Sequence, residues 1–430
     1  MRSVLYKLII AASLVACLLS IASCLKDSCN NVYIYKLFTP VYKSLDELRG
    51  AVKREAPRNI EEPGKIYLYG NYIFLNEVNK GVHVIDNSNP SAPNKVAFIN
   101  IPGNLDIAIK GNILYADSYI DLVALDISNP QNVRETKRFE YAFPHRQYEY
   151  GIRIDTASDR VIVDFIAKDT VVKRSCDPLI SPTSIAYEYF SGPNTSLVQA
   201  NSAKSTSAMA LGVSGSMARF TLVGNYLYLI DNYFLQTYDV SNPLELARKA
   251  TVPVGSDIET IFPYKNSLFI GARSGMFIYD ASNPAQPVRK GTFTHARRCD
   301  PVVVQDDIAY VTLRGTGECG GTTNQLDVLD VKNLEAPRLI RSYPMSGPYG
   351  LGIQGSKLFV CEGEFGLRFM DAQNAADIVT RKIVGDVNAY DVIPNNNILL
   401  VTAKDGLYQY DHSNLQAPKL LSKVPITVKQ

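Results

Sequence analysis

The chain runs to 430 residues, with 44 Lys and Arg against 42 Asp and Glu and a net charge of +2. That balance, with no block of Lys or Arg, excludes the electrostatic footprint of a nucleic-acid binder. Its length is more than one ordinary hydrophobic core spans, which leaves several domains or one domain built from repeats. With 26 Tyr, no Trp and many Val and Ile, and with few long amphipathic patterns, the composition argues for an all-β protein.

Arg2 and Lys7 give a positive start, residues 8–21 form an apolar run, and Ile21-Ala22-Ser23 leads into Cys24. This reads as a signal peptide over 1–23, too short for a comfortable membrane span. Small residues directly before a cysteine resemble the lipobox of bacterial lipoproteins, which implies acylation of Cys24 and attachment to a membrane through that anchor. Cleavage near Ala22 with an unmodified Cys24 is the plainer alternative. Leu25-Lys26-Asp27 resembles the tag that sends some lipoproteins of Bacteroidota to the cell surface; attachment facing the periplasm is the other option. A linker follows over 24–63. Within it Ser44 and Glu47 have capping-box spacing ahead of Leu48 and Val52, which predicts a short helix.

From residue 64 the chain repeats itself. Asp-x-x-Asn follows a β-rich run at Asp86, Asp126, Asp239, Asp280, Asp330, Asp371 and Asp411, at intervals of 40, 113, 41, 50, 41 and 40. Within a period the grammar recurs: a short strand, a Gly-Asn turn as at Gly111-Asn112, a second strand, an alternating third strand, the Asp turn and a fourth strand. Four strands in about 40 residues make one propeller blade, and a blade cannot bury both faces alone. The expected fold is therefore an all-β single propeller over 64–427. Its seven units are 64–103, 104–144, 216–255, 256–297, 298–345, 346–386 and 387–427, and the interval of 50 carries a ten-residue insertion. The irregular segment 145–215 lacks the Asp turn. Its residues 160–173 read as a hairpin extending the second blade, followed by a long loop; a degenerate eighth blade is the alternative.

GVHVIDNSNP at 81–90 and DLVALDISNP at 121–130 resemble the LVIVD repeat. GSMARF (215–220), RRCDPVVV (297–304), AYVTLRG (309–315) and GLYQYD (406–411) are similar to stretches of LVIVD-repeat lipoproteins of Bacteroidota. The resemblance implies a propeller on the cell envelope and says little about activity.

Propeller geometry puts the inter-blade connections and the second-to-third-strand loops on one face. Entering the first strands there are Asp106, Glu259, Asp300 and Asp391; the loops carry Glu77, Asp117, Asp231, Arg273, Arg314, Glu362 and Lys404, and His295, Arg297 and Arg298 join them. The functional reading is a charged funnel for a polar ligand or a partner's loop. The bland one is that Asp106, Asp300 and Asp391 cap backbone N–H groups between blades, with Arg273, Arg314 and Lys404 neutralising them. Cys299 and Cys319 fall on this face, and in an oxidising envelope a disulfide between them would pin the insertion. His295 with the two cysteines as a metal site has no supporting spacing, so no metal is expected. Cys361 reads as a buried thiol, and a Cys29–Cys176 bridge as an option without support from spacing. No GxSxG, HExxH, Walker loop or CxxCH occurs, so no catalytic residue and no cofactor is assigned. His83, in a third strand, and His412, in an Asp turn, read as structural. The expectation is a lipid-anchored binding or scaffold protein of the outer membrane, with an unknown protein or glycan ligand and no nucleic acid. The alternative is a polysaccharide lyase or hydrolase using His295 with Arg297, Arg298 or Arg314.

Overall fold

The computed structural model describes residues 30–143, 159–175, 217–231, 233–242, 245–294, 301–315 and 324–427. Seven antiparallel blades of four strands follow one another in chain order. Blade 1 comprises Pro63–Tyr69, Tyr72–Glu77, Gly81–Asp86 and Asn94–Asn100. Blade 2 comprises Ile107–Lys110, Ile113–Ser118, Asp121–Asp126 and Arg134–Phe139. Blades 3 to 7 occupy 220–253, 258–294, 302–344, 351–384 and 389–425.

Local chemistry sets the blade. Each first hairpin turns on a left-handed residue: Gly70, Gly111, Gly224, Lys265, Asp306, Gly355 and Asn396 all have φ between 52° and 59°, and Asp307 follows Asp306 at 61°. Four are glycine because that region costs a residue without Cβ least, and Asp and Asn tolerate it next best. Each Asp turn is closed twice. The Asp Oδ1 accepts from the N–H two residues on, at Ser88, Ser128, Ser241, Ser282, Lys332, Gln373 and Ser413, at 2.8–3.1 Å. The N–H directly after the Asp reaches the carbonyl of the first hairpin turn, as from Asn87 to Asn71 at 2.7 Å and from His412 to Asn397 at 2.9 Å. Both turn types therefore share one face. Every outer strand carries a one-residue bulge against the third strand, which increases its twist.

The middle strands are buried on both sides, so they read as apolar runs, whereas outer strands such as Arg338–Pro344 are mostly exposed with scattered half-buried positions. The core lies between blades. Ile230 and Leu235 meet Ile261 and Leu268, Phe269 meets Val302, Tyr310 meets Leu351, and Phe359 meets Val392. Ile66 and Ile73 of blade 1 pack with Leu400 and Leu407 of blade 7. That last interface closes the ring, helped by a parallel bridge between Ile60 and Ile426 and by Ser422 Oγ donating to Pro90 O at 2.6 Å. Among the described residues no strand crosses it. Lys53–Glu55 instead adds a fifth strand outside blade 1.

The expected helix is present as α1, Leu45–Gly50, with the Ser44 side chain accepting from Glu47 N. Leu45 and Leu48 pack on Tyr119, Ile120 and Val161, and Arg49 grips the buried Asp121 carboxylate at 2.8 Å. The hairpin expected over 160–173 is a single strand, Arg160–Ser175, paired with Asn30–Ser44 in a two-stranded ribbon. It neither extends blade 2 nor, among the described residues, builds an eighth blade. The physical reason is local: Ile166 to Asp169 offer no Gly, Asn or Pro, and no residue there takes a positive φ, so nothing reverses the chain.

Candidate functional site

The first strands line the axis of the ring, and their entry points gather on the face opposite the Asp turns. Lys65, Asp106 and Arg219 stand five residues before the left-handed residue of their hairpins; Glu259, Tyr349 and Tyr390 stand six before theirs. The second-to-third-strand loops meet the inter-blade connections on this side, as shown by Arg273 N donating to Asp257 O at 3.2 Å and Lys404 N to Asn388 O at 3.0 Å.

Asp106 ties three blades together. Its Oδ2 takes Lys65 Nζ of blade 1 at 3.2 Å and the N–H groups of Arg219 and Phe220 of blade 3 at 2.6 and 3.0 Å, while Oδ1 takes Ile107 N at 2.8 Å. Both side chains are buried. Burial is the main cause that raises the Asp106 carboxyl and lowers the Lys65 ammonium, and the opposite charge of each partner opposes it. Asp117 Oδ1 accepts from Asn104 Nδ2, Leu105 N and Asp106 N at 2.8–2.9 Å.

The sector from blade 3 to blade 7 carries arginines and aromatic rings. Arg273 Nε donates to Glu259 Oε1 at 3.0 Å. Burial raises the Glu259 carboxyl, and Arg273, Arg219 and Arg314 all pull it back down, so three guanidinium groups share one carboxylate's field. The Arg314 guanidinium lies 3.9 Å from the centre of the Tyr349 ring, which meets Tyr390 edge-on at 5.3 Å. Phe365, in the loop after blade 6's second strand, is 50% exposed.

The remaining acids of this face are buried in local bonding. Glu362 accepts from Ser346 N at 2.7 Å and pairs with Arg368 at 2.6 Å, and Asp231 caps Tyr233 and Phe234 N–H at 2.9 and 2.8 Å. Glu77 holds His83 Nε2 at 2.5 Å and Lys80 Nζ at 3.0 Å, which take its carboxyl to about 2 against the opposing effect of burial. Asp391 is buried beside Gly350, and Lys404 is exposed. Cys361 is a buried free thiol. His295, Arg297, Arg298, Asp300, Cys299, Cys319, Cys24, Cys29 and Cys176 lie outside the described residues.

The structure thus brings Arg273, Arg314 and Asp106 to one mouth and turns Glu362 toward Arg368. Sequence reasoning missed Lys65, Arg219, Tyr349 and Tyr390. Their place five or six residues before each first hairpin turn was the available signal.

The fold and this mouth define a seven-bladed β-propeller with a polar ring at the entry to its axis. The LVIVD repeat model matches residues 64–100, 104–140 and 264–295, which fall on blades 1, 2 and 4, so the chain carries LVIVD repeats. Among solved structures, the computationally designed Ika8 protein is similar at a TM-score of 0.50 and 8% identity, over 87% of this chain and 89% of that one. BamB from Moraxella catarrhalis is similar at 0.49 and 9% identity, over 85% and 97%. At 8% identity the likeness to the designed protein is one of fold alone. No curated protein matches.

Proposed function

We propose that this chain is an exported, lipid-anchored propeller that acts as a binding or scaffold protein on the cell envelope. The observation that carries the binding role is the mouth: five blades supply the part-exposed Arg219, Glu259, Arg314, Tyr349 and Tyr390 to one face, while Lys65 and Asp106 of the other two are buried against each other. Guanidinium, carboxylate and phenol groups at or next to strand ends suit recognition of a polar ligand, since much of their orientation is set before binding. The envelope assignment draws support from the N-terminal sequence, with Cys24 as the acylated residue. Antibody labelling of intact against permeabilised cells tests it. Labelling of intact cells is expected; signal only after permeabilisation moves the protein to the periplasmic side. Cys24→Ser should shift the chain from the membrane to the soluble fraction, and unchanged fractionation removes the lipid anchor.

A further inference from the structure

We infer that residues 45–62, the lead-in to blade 1, form a clasp: seated on blades 2, 1 and 7 in turn, they hold shut the junction at which the two ends of the ring meet.

Consecutive blades follow one another along the chain, so every other junction is also joined by the polypeptide itself. Such a link keeps parted faces close enough to meet again. Blades 7 and 1 have no such link, and among the described residues they share no strand. Ile60 lies before the first strand of blade 1, yet it is fully buried in this interface among Ile66, Ile73, Leu400, Leu407 and Ile426. Its carbonyl accepts from Thr427 N at 2.7 Å, beside the parallel bridge to Ile426.

The grip on Ile60 is spread over two further blades. At the far end α1 buries Leu45 and Leu48 against Tyr119 and Ile120 of blade 2, and Arg49 reaches the Asp121 carboxylate at 2.8 Å. Ala51 O then accepts from Asn100 Nδ2 at 2.7 Å, and Lys53, Arg54 and Glu55 pair with Asn100, Ile99 and Phe98 on the outer strand of blade 1. The Arg58 guanidinium lies 3.4 Å from the centre of the Phe98 ring and 3.6 Å from the Glu77 carboxylate. Lys80 holds Glu61 at 3.0 Å and Glu62 at 3.6 Å, and Val78 N donates to Glu62 O at 3.0 Å.

Neither α1 nor the added strand is part of a blade's own four-stranded ladder. A helix of six residues is not stable alone in water, so α1 persists through what it grips. Once α1 is loosened, the residues between it and Ile60 must be ordered afresh whenever Ile60 seats, and that lost entropy opposes closure. A helix serving blade 2 alone would leave the junction of blades 7 and 1 untouched; a clasp carries the loss to it.

The test uses the full chain carrying Ile73→Cys, which puts a thiol in the interface of blades 7 and 1. Cys361, buried between blades 6 and 7, is the internal reference. Pulse labelling with a thiol reagent, read peptide by peptide by mass, follows the two sites separately. Leu48→Ser should speed labelling of the introduced thiol roughly tenfold and leave Cys361 at its original rate. No acceleration at the introduced thiol, or equal or greater acceleration at Cys361, overturns the inference. Should Leu48→Ser fail to fold, Arg49→Gln is the milder variant, since Asp121 keeps Arg138 at 3.0 Å. Amide exchange at Thr427 in a chain without the introduced thiol is the second measurement. Faster exchange in the same variants is expected, and unchanged exchange overturns the clasp.

Discussion

Asn87 of blade 1 and Gln409 of blade 7, 322 positions apart, exchange two amide hydrogen bonds: Asn87 Nδ2 to Gln409 Oε1 at 3.0 Å and Gln409 Nε2 to Asn87 Oδ1 at 2.6 Å. Gln409 is fully buried, so deleting its amide strands Asn87 at the closing interface. Gln409→Ala should cost about 1–3 kcal/mol, whereas Gln373→Ala on the surface should cost little. Denaturant titration of both variants checks this. Equal midpoints would show that closure rests on the Ile60–Ile426 bridge, the Ser422–Pro90 hydrogen bond and the apolar contacts without this pair.

Lys65 and Asp106 form a buried pair at 3.2 Å. Lys65→Met leaves a buried carboxylate without its cation and should cost about 3–5 kcal/mol. Asp106→Ala should cost more, because the N–H groups of Ile107, Arg219 and Phe220 lose their acceptor together with Lys65. Urea unfolding of the two variants would contradict the scheme if their order were reversed.

Acid should weaken the ring through its turns. All seven turn aspartates sit below the usual carboxylate range, mainly through side-chain or backbone hydrogen bonds at the turn, and Asp239 lies at about 2. In the unfolded chain they take protons near 3.8. Between the two values the unfolded state binds more protons, so stability is complete above about pH 4 and falls as pH drops toward 2. Thermal midpoints measured down that range should decline, and Asp239→Asn should flatten the decline.

A second acid effect begins at higher pH. His412 is fully buried against the Phe359 ring at 4.8 Å, and burial, aided by Lys357, pushes its imidazole from 6.5 to about 4. The folded state resists protonation while the unfolded state accepts it, so stability falls as pH decreases from 6.5 toward 4. The whole drop is on the order of 3 kcal/mol. His412→Leu should remove this slope and leave the lower aspartate transition in place; a slope that survives assigns it to another group.

Much of the fold was legible because the blade signals are short-range. Asp-x-x-Asn and Gly-Asn carry their own hydrogen-bond chemistry within a few residues, so Asp126 and Gly111 announce blade 2 without reference to anything distant. Closure was illegible for the opposite reason: Ile60 and Ile426, or Asn87 and Gln409, have no local mark of their pairing. The Arg160–Ser175 strand misled because alternation of Val and Ile does not distinguish a hairpin from one long strand. At the mouth, charge alone pointed to Glu362 as readily as to Arg314. Only the structure separates a carboxylate tied to Arg368 and Ser346 N from a guanidinium stacked on Tyr349.

Each blade is one uninterrupted length of chain, since among the described residues no strand is lent across the junction of blades 1 and 7. Where the polypeptide happens to begin is therefore incidental to the assembly of any blade. A circular permutant that joins the present ends of the ring and opens the connection between blades 3 and 4 should keep the four-stranded ladder of every blade intact. The same independence makes the blade a unit of heredity: whole periods can be gained or lost by duplication without cutting a sheet in two.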